Sequence, residues 1–141
     1  MPTRKAEAEW KGDLKSGKGN IKVESGAFEG AYSFQTRFEE GSGTNPEELI
    51  GAAHAGCYSM ALSAGLADAG HEPKSVQTNA DVSLEKEGDG FAIKSITLNC
   101  TADIPGISND EFQKFAEDAK NGCPVSQALA GVTINLNAGL K

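Results

Sequence analysis

The stretch GTNPEELIGAAHAGCYSMALS, residues 43–63, contains a helix that is apolar on every side. Asn45 is predicted to cap this helix, Pro46 to begin it and Glu48 to complete a capping box, while Gly70 marks its end. Residues 49–67 include no Lys, Arg, Asp or Glu. Because a helix that is apolar all round has to be buried on all sides, this stretch predicts the central helix of the fold.

A partner subunit is expected to complete the burial of this helix. A membrane would be the other apolar environment, but the segment is rich in Ala, Gly and Ser, contains His54 and lacks the Leu, Ile and Val of a lipid-facing helix. One sheet and one further helix of a small domain cover only part of its surface. We therefore expect an obligate homodimer built on this helix, and no membrane association.

Strands with alternating apolar residues are predicted before the central helix. Ile21 and Val23 share the parity of one half-buried strand. In the run YSFQTRF, residues 32–38, the aromatic residues are assigned to the inward face of another strand and Arg37 to its polar face. These alternations predict that one side of the sheet packs against a core.

The second half of the chain predicts a long hairpin, a helix and a last strand. Apolar residues alternate along residues 76–104 on both sides of the turn EGDG at 87–90. Ser108 is expected to cap a helix over residues 109–122, and apolar residues alternate again at 132–136. The pattern predicts an α+β fold, with an antiparallel sheet, a long buried central helix and a second helix.

Composition narrows the class of protein. The 141 residues are expected to form a single domain, residues 1–141. The net charge of −7 argues against nucleic acid as a partner, because proteins that bind phosphate backbones carry basic surfaces. The N-terminus has no apolar signal segment, which predicts a cytoplasmic location. In that reducing compartment the three cysteines are expected to be reactive or merely buried thiols rather than a structural disulfide framework.

The three thiols occupy different environments in the predicted fold. Cys100 shares the inward parity of the hairpin and is expected to act as a small apolar residue. Cys57 lies in the middle of the buried helix, where the same structural role is open to it. Cys123 precedes Pro124 at the predicted start of a short helix, where unpaired backbone N–H groups favour a thiolate, although it can also be an incidental loop residue. The pattern favours a functional role only if Cys57 and Cys123 meet.

Two neighbouring residue types admit further interpretations. Glu48 is needed for the capping box, whereas Glu47 is not. His54 precedes Cys57 by three residues, so a Cys-His nucleophile pair is conceivable, but a hydrogen-bonded core histidine is favoured. A zinc site formed by His54, Cys57 and Cys123 has too few ligands and lacks the usual paired spacing.

Two segments, GTNPEELIGAAHAGCYSMAL and NGCPVSQAL, closely resemble the signature segments of the OsmC family (osmotically inducible protein C), relatives of the organic hydroperoxide resistance proteins. The likeness continues through AEWKGDLKSGKG, YSFQTRFEEGSG and ADVSLEKEGDGFAIKSITL, so it covers nearly the whole chain. The sequence is more similar to OsmC itself than to the organic hydroperoxide resistance branch.

The resemblance implies a thiol peroxidase that reduces organic hydroperoxides, and hydrogen peroxide less readily, as an intertwined α/β homodimer with active sites at the subunit interface. It implies that Cys57 is the peroxidatic cysteine, Cys123 the resolving cysteine, Arg37 the catalytic arginine on the strand before the helix, and Glu47 the catalytic glutamate. It implies no role for His54. It also implies recycling by an external dithiol of lipoyl type carried on a protein, with no bound cofactor or metal.

Elementary chemistry explains these residue types. An unperturbed cysteine, with a pKa of about 8.5, is only a few per cent thiolate at neutral pH, and burial lowers that fraction further. A guanidinium beside the sulfur favours the thiolate, and its remaining N–H groups can stabilise the leaving alkoxide. Glu47 is expected to hold Arg37 in a bidentate pose.

Substrate preference and two other functions stay open on the residues. An apolar lining is expected to favour alkyl or fatty-acid hydroperoxides; its predicted members are Leu49, Ile50, Met60, Phe34 and Phe38. One alternative is a non-catalytic redox-sensing or binding module that uses the same cysteine pair. The other is a cysteine hydrolase that uses Cys57 and His54 and has no need of Cys123.

Overall fold

The computed structural model describes all 141 residues, which form two compact units, Met1–Leu49 and Ile50–Lys141. The first unit contains, in chain order, β1 (Ala6–Lys11), β2 (Lys18–Val23), β3 (Glu29–Tyr32), α1 (Phe34–Phe38) and the start of α2 (Pro46–Asp68). The second contains the rest of α2, then β4 (Ser75–Glu87), β5 (Gly90–Asp103), α3 (Asn109–Gly122), α4 (Pro124–Ala128) and β6 (Thr133–Leu140). The predicted α+β class is confirmed.

An antiparallel sheet in the order β1-β2-β3 forms most of the first unit. Ile21 and Val23 lie on its half-buried face, as their parity predicts. The rings of Trp10 and Tyr32 pack across this sheet with centroids 5.3 Å apart. Gly19 lies between them, and a Cβ atom there would fall 2.4 Å from a carbon of the Tyr32 ring, so only glycine allows this aromatic pair to close.

The strand predicted over residues 32–38 is wrong beyond Tyr32, because Phe34–Phe38 forms the single-turn helix α1. Ser33 caps this turn by accepting from the Thr36 N–H, while the Thr36 hydroxyl accepts from the Ser33 N–H. Phe34 and Phe38 share a parity, but they are also four residues apart, which places them on one face of a helix. Their rings pack 4.8 Å apart, and Arg37 therefore projects from a helix rather than from a strand.

The second unit is built on a mixed sheet in the order β4-β5-β6. The predicted hairpin of β4 and β5 is confirmed, with a bulge between Ser83 and Leu84. The last strand, β6, pairs with β5 in parallel, which the alternation alone did not indicate. Its core combines one face of this sheet with α2 and α3; its fully buried members include Tyr58, Leu62, Leu66, Ile96, Leu98, Ala102, Phe112 and Ala116.

Both ends of α2 follow the predicted caps. The Asn45 side chain accepts the Glu48 N–H at 2.7 Å. At the other end, Gly70 has a φ of +88°, and the His71 N–H returns to the Leu66 carbonyl, which satisfies the last turn in a Schellman arrangement. The carboxylate of Glu48 accepts the Thr44 hydroxyl instead of closing the predicted capping box.

Within a single chain α2 is buried on one face only. Tyr58, Leu62 and Leu66 pack into the core of the second unit, whereas the opposite face exposes a stripe of small and apolar residues; it consists of Ala52, Ala53, Gly56, Met60, Ala64 and Ala67. By length and composition alone this helix could cross a membrane. The stripe is the part of the helix for which the sequence predicts cover from outside the chain.

Candidate active site

Cys57 on α2 and Cys123 at the start of α4 are in hydrogen-bond contact, and both are free thiols. Cys123 is completely buried, whereas Cys57 is partly exposed. The sequence pattern favoured a functional role for these thiols only if Cys57 and Cys123 meet, and in the fold they do. Cys123 is the N-cap of α4, as its position before Pro124 predicts.

The two thiols differ in acidity. Burial raises the pKa of the Cys57 thiol, and its hydrogen bond to Cys123 raises it further, against a backbone hydrogen bond from Val125. Burial also raises the pKa of Cys123, but backbone N–H groups of Ser126 and Val125, the Cys57 thiol and the Ser126 hydroxyl together lower it below its ordinary value. Cys57 is thus the donor in the pair, and the favoured thiolate is at Cys123.

His54 is fully buried and bonds Ser126 rather than Cys57. Its Nε2 lies 2.7 Å from the Ser126 Oγ, and its Nδ1 is buried without a hydrogen-bond partner. Burial lowers the pKa of the ring, which favours neutral imidazole. The core histidine favoured by the sequence is confirmed, and the Cys57-His54 nucleophile pair required by the hydrolase alternative is not formed.

Arg37 and Glu47 form an ion pair within the first unit. The Nε and Nη2 atoms of Arg37 donate to the Oε1 atom of Glu47 at 3.0 and 2.7 Å. The Glu47 side chain is 10% exposed and the Arg37 side chain 37%. Both N–H groups converge on one carboxylate oxygen, so the contact holds Arg37 firmly but differs from the two-oxygen bidentate pose expected from the sequence.

Asn45 helps to place this pair. Its Oδ1 caps α2 through the Glu48 N–H, while its Nδ2 donates to the Thr36 carbonyl at 3.0 Å. One side chain therefore ties the first turn of α2, which carries Glu47, to the turn of α1, which carries Arg37. The Arg37 guanidinium also lies 5.6 Å from the centroid of the Phe38 ring, a cation–π contact that limits its motion further.

The remaining candidates from the sequence stay outside this arrangement. Cys100 is buried on the inward face of β5, as predicted, and burial raises its pKa. No group of three His, Cys, Asp or Glu side chains is arranged to hold a metal ion. Among the residues expected to line an apolar pocket, Met60 is 76% exposed on the α2 stripe and borders a groove of about 540 Å³.

Sequence reasoning missed two residues that act on these side chains. Ser126 is the third residue of α4, and the run CPVS could have indicated that its hydroxyl turns back towards the cap residue. Asn45 was assigned only the capping role, because its second hydrogen bond reaches nine residues back to Thr36. No local pattern indicates that contact.

The chain is similar in sequence to proteins whose names connect them with peroxides. Residues 39–137 match the family model described as OsmC-like protein. Over 134 residues, covering 94% of each chain, the sequence is 52% identical to the peroxiredoxin OsmC of Escherichia coli (strain K12). It is 33% identical over 100 residues to the organic hydroperoxide resistance protein of Xanthomonas axonopodis pv. citri (strain 306), covering 68% of each chain.

Solved structures with the same fold include two organic hydroperoxide resistance proteins. The protein from Elizabethkingia anophelis, with crystallant-derived thiocyanate bound, superimposes with a TM-score of 0.78 at 24% identity, covering 100% of this chain and 98% of that one. OhrB of Bacillus subtilis superimposes with a TM-score of 0.72 at 25% identity, covering 97% and 98%. Nearly the whole chain therefore has its fold in common with them.

Proposed function

The chain belongs to the family of OsmC-like proteins, and from that premise we propose that it is a thiol peroxidase that reduces organic hydroperoxides to alcohols, and hydrogen peroxide more weakly. Its relatives are a peroxiredoxin and organic hydroperoxide resistance proteins, which supports a peroxide-detoxifying redox function. The observation that carries the proposal is the contact between the free thiols of Cys57 and Cys123.

The two sulfurs have different roles in this proposal because they differ in solvent exposure. Cys57 is partly exposed and can meet a peroxide, whereas fully buried Cys123 can reach only the sulfur beside it. Cys57 attacks the terminal peroxide oxygen, the O–O bond breaks, and the thiol proton ends on the alkoxide, so that Cys57 becomes a sulfenic acid and one alcohol leaves. Cys123 then attacks that sulfenic sulfur and the S–O bond breaks; the leaving hydroxide takes the Cys123 thiol proton, or a proton from solvent when Cys123 is already a thiolate, so that water leaves and the disulfide forms.

Arg37 is proposed to promote the first step. Its guanidinium favours ionisation of Cys57 and stabilises the negative charge that develops on the leaving oxygen. Glu47 holds the guanidinium through Oε1, as the two hydrogen bonds to that atom indicate.

An external dithiol is proposed to close the cycle. One of its thiolates attacks the Cys57–Cys123 disulfide, and its second thiol displaces the resulting mixed disulfide, which returns both cysteines to thiols and oxidises the dithiol to a disulfide. A dithiol of lipoyl type on a carrier protein meets this chemistry. A reducing compartment, the cytoplasm, supplies such reductants, and the cycle needs no bound cofactor or metal.

The peroxidase cycle is tested by mass spectrometry of the reduced protein after one equivalent of an organic hydroperoxide, with hydrogen peroxide in parallel. We expect a Cys57–Cys123 disulfide that forms faster with the organic substrate and is reversed by a dithiol. The Cys57→Ser variant should form neither the sulfenic acid nor the disulfide. In the Cys123→Ser variant, oxidation of Cys57 should stop at the sulfenic acid. Cys100→Ser is the matched control and should behave as the parent protein.

Three results would reject parts of this proposal. Oxidation confined to Cys100 would remove the catalytic assignment. Slow oxidation without multiple turnovers in the presence of a dithiol would favour the redox-sensing module. Equal rates with alkyl hydroperoxides and hydrogen peroxide would reject the preference for organic substrates.

A homodimer is proposed to cover the exposed stripe of α2. The stripe contains six small or apolar residues and no charge, which suits close packing against a second copy of the same helix. Met60→Glu places a charge in its middle and should convert the dimer to monomer in sedimentation experiments. Leu14→Glu, at an exposed apolar residue of the β1–β2 loop, is the matched control and should leave the mass unchanged. A wild-type monomer would refute the proposal.

A further inference from the structure

A chain of hydrogen bonds runs from α2 to the buried sulfur of Cys123. His54 contacts the Ser126 Oγ through Nε2 at 2.7 Å, and the Ser126 hydroxyl contacts Cys123. The imidazole is fully buried, Ser126 is 5% exposed and Cys123 is fully buried. Water therefore has little access to these three side chains, and their hydrogen bonds have to be satisfied by protein groups.

The unpartnered Nδ1 of His54 indicates which groups donate and which accept along these hydrogen bonds. A buried N–H without an acceptor is rarer in proteins than an acceptor without a donor, so Nδ1 is the bare nitrogen and Nε2 carries the hydrogen. Nε2–H then donates to the Ser126 Oγ. The hydroxyl hydrogen of Ser126 is left to donate onward, and Cys123 is the sulfur that receives it.

We propose, on the basis of the peroxidase function above, that His54 and Ser126 are positioning residues that hold Cys123 ready as a thiolate for its attack on the Cys57 sulfenic acid. His54 orients the serine hydroxyl, and the hydroxyl donates to the sulfur. Neither residue contacts the peroxide. The same donation is one of the contacts that lower the pKa of Cys123.

The groups around Cys123 do not compete with this donation. Cys57 donates its thiol hydrogen to Cys123, and burial raises the pKa of the Tyr58 hydroxyl, which keeps that phenol neutral. His54 is neutral as well, because burial lowers its pKa. The thiolate of Cys123 is consequently stabilised by neutral donors and depends on how they are oriented.

The experiment titrates the Cys123 thiol by the ultraviolet absorbance of its thiolate, in a Cys57→Ser, Cys100→Ala background with no peroxide present. Ser126→Ala is expected to raise the pKa of Cys123 by about one to two units, the size expected for one lost hydrogen bond to a charged group. His54→Leu should raise it in the same direction. Ser126→Thr and His54→Gln retain the donors and should stay near the parent value.

A second experiment measures the rate of disulfide formation in the protein that retains all three cysteines. After Cys57 has been oxidised, Ser126→Ala should slow disulfide formation about tenfold at neutral pH for each unit of pKa rise, and trapped sulfenic acid should accumulate. Ser59→Ala is the matched control, because this α2 hydroxyl pairs with Thr78 instead. It should change neither readout.

An unchanged Cys123 pKa in folded Ser126→Ala would overturn the inference. If His54→Leu does not fold, the Ser126→Ala and Ser126→Thr comparison decides alone. The titration needs no peroxide, so it separates this inference from the proposed function. A shifted pKa in a protein that does not reduce peroxides would retain the His54–Ser126 role and reject the peroxidase, whereas rapid turnover with an unshifted pKa would do the reverse.

Discussion

The ion pair of Arg37 and Glu47 permits a quantitative test of how the arginine acts. If Glu47 serves only to hold the guanidinium, its removal should matter only while Arg37 is present. Glu47→Ala, Arg37→Ala and the double variant therefore form a thermodynamic cycle on kcat/KM for an organic hydroperoxide.

The structure sets the size of each effect. A hydrogen bond to a charged group contributes about 1.5–3 kcal/mol when buried, whereas exposed ion pairs contribute about 0–1 kcal/mol. Two N–H groups share one oxygen here, and the Arg37 side chain is 37% exposed, so the intermediate value of about 1–2 kcal/mol applies. Glu47→Ala should thus lower kcat/KM about 5- to 30-fold. Arg37→Ala removes the electrostatic donor itself and should lower it about 100-fold or more.

The double variant decides the question. It should match Arg37→Ala within about twofold, since Glu47 then has no arginine left to position. Glu48→Ala is the matched control on the same turn, because that carboxylate binds the Thr44 hydroxyl. If the two single losses multiply in the double variant, Glu47 acts on something other than Arg37 and the reasoning is refuted. Equal activity of Glu47→Ala and the parent would refute it as well.

Three further predictions concern the packing that holds the thiols in place. Tyr58→Phe loses the 3.2 Å hydrogen bond to the Ala116 carbonyl, which keeps its own helical partner, so urea unfolding should show a loss of only about 1 kcal/mol. Phe112→Ala empties a fully buried site and should lose about 3–5 kcal/mol in the same measurement; a loss below 1 kcal/mol would contradict that packing. His54 has a lowered pKa in the folded chain, so stability is present above the unfolded pKa of about 6.5 and is lost as pH falls below it. His54→Gln should flatten that acid-side loss, and an unchanged pH dependence would show that other groups cause it.

Much of the secondary structure could be predicted because its signals are local. The caps at Asn45 and Ser108 form hydrogen bonds to residues three positions away, so they can be recognised from short sequence spacings. The β4–β5 hairpin follows from alternation on both sides of one turn. The strand predicted over residues 32–38 was wrong because it also rested on a local pattern. Within seven residues, the aromatic positions fit the period of two of a strand and the spacing of four of a helix equally well, and the Ser33 cap favours the helix.

For the candidate site, the residues could be predicted from the sequence but several of their contacts could not. The sequence, with its family resemblance, selected Cys57, Cys123, Arg37 and Glu47, and the structure brings the first two together and joins the last two. The sequence did not predict that Arg37 binds a single oxygen of Glu47, or that His54 forms a hydrogen bond with Ser126. The assigned catalytic roles remain predictions that the experiments above test.

By itself the sequence determined an apolar helix with a thiol at its centre, a second thiol before a proline, and strands with one apolar face. These follow from hydrogen bonds and side-chain periodicities that act over a few residues. Tertiary structure decided that β6 runs parallel to β5, that His54 meets a serine 72 residues away, and that the pKa of Cys57 is raised while that of Cys123 is lowered. Those outcomes depend on burial and on which donors surround each sulfur, and such quantities exist only once distant parts of the chain have packed together.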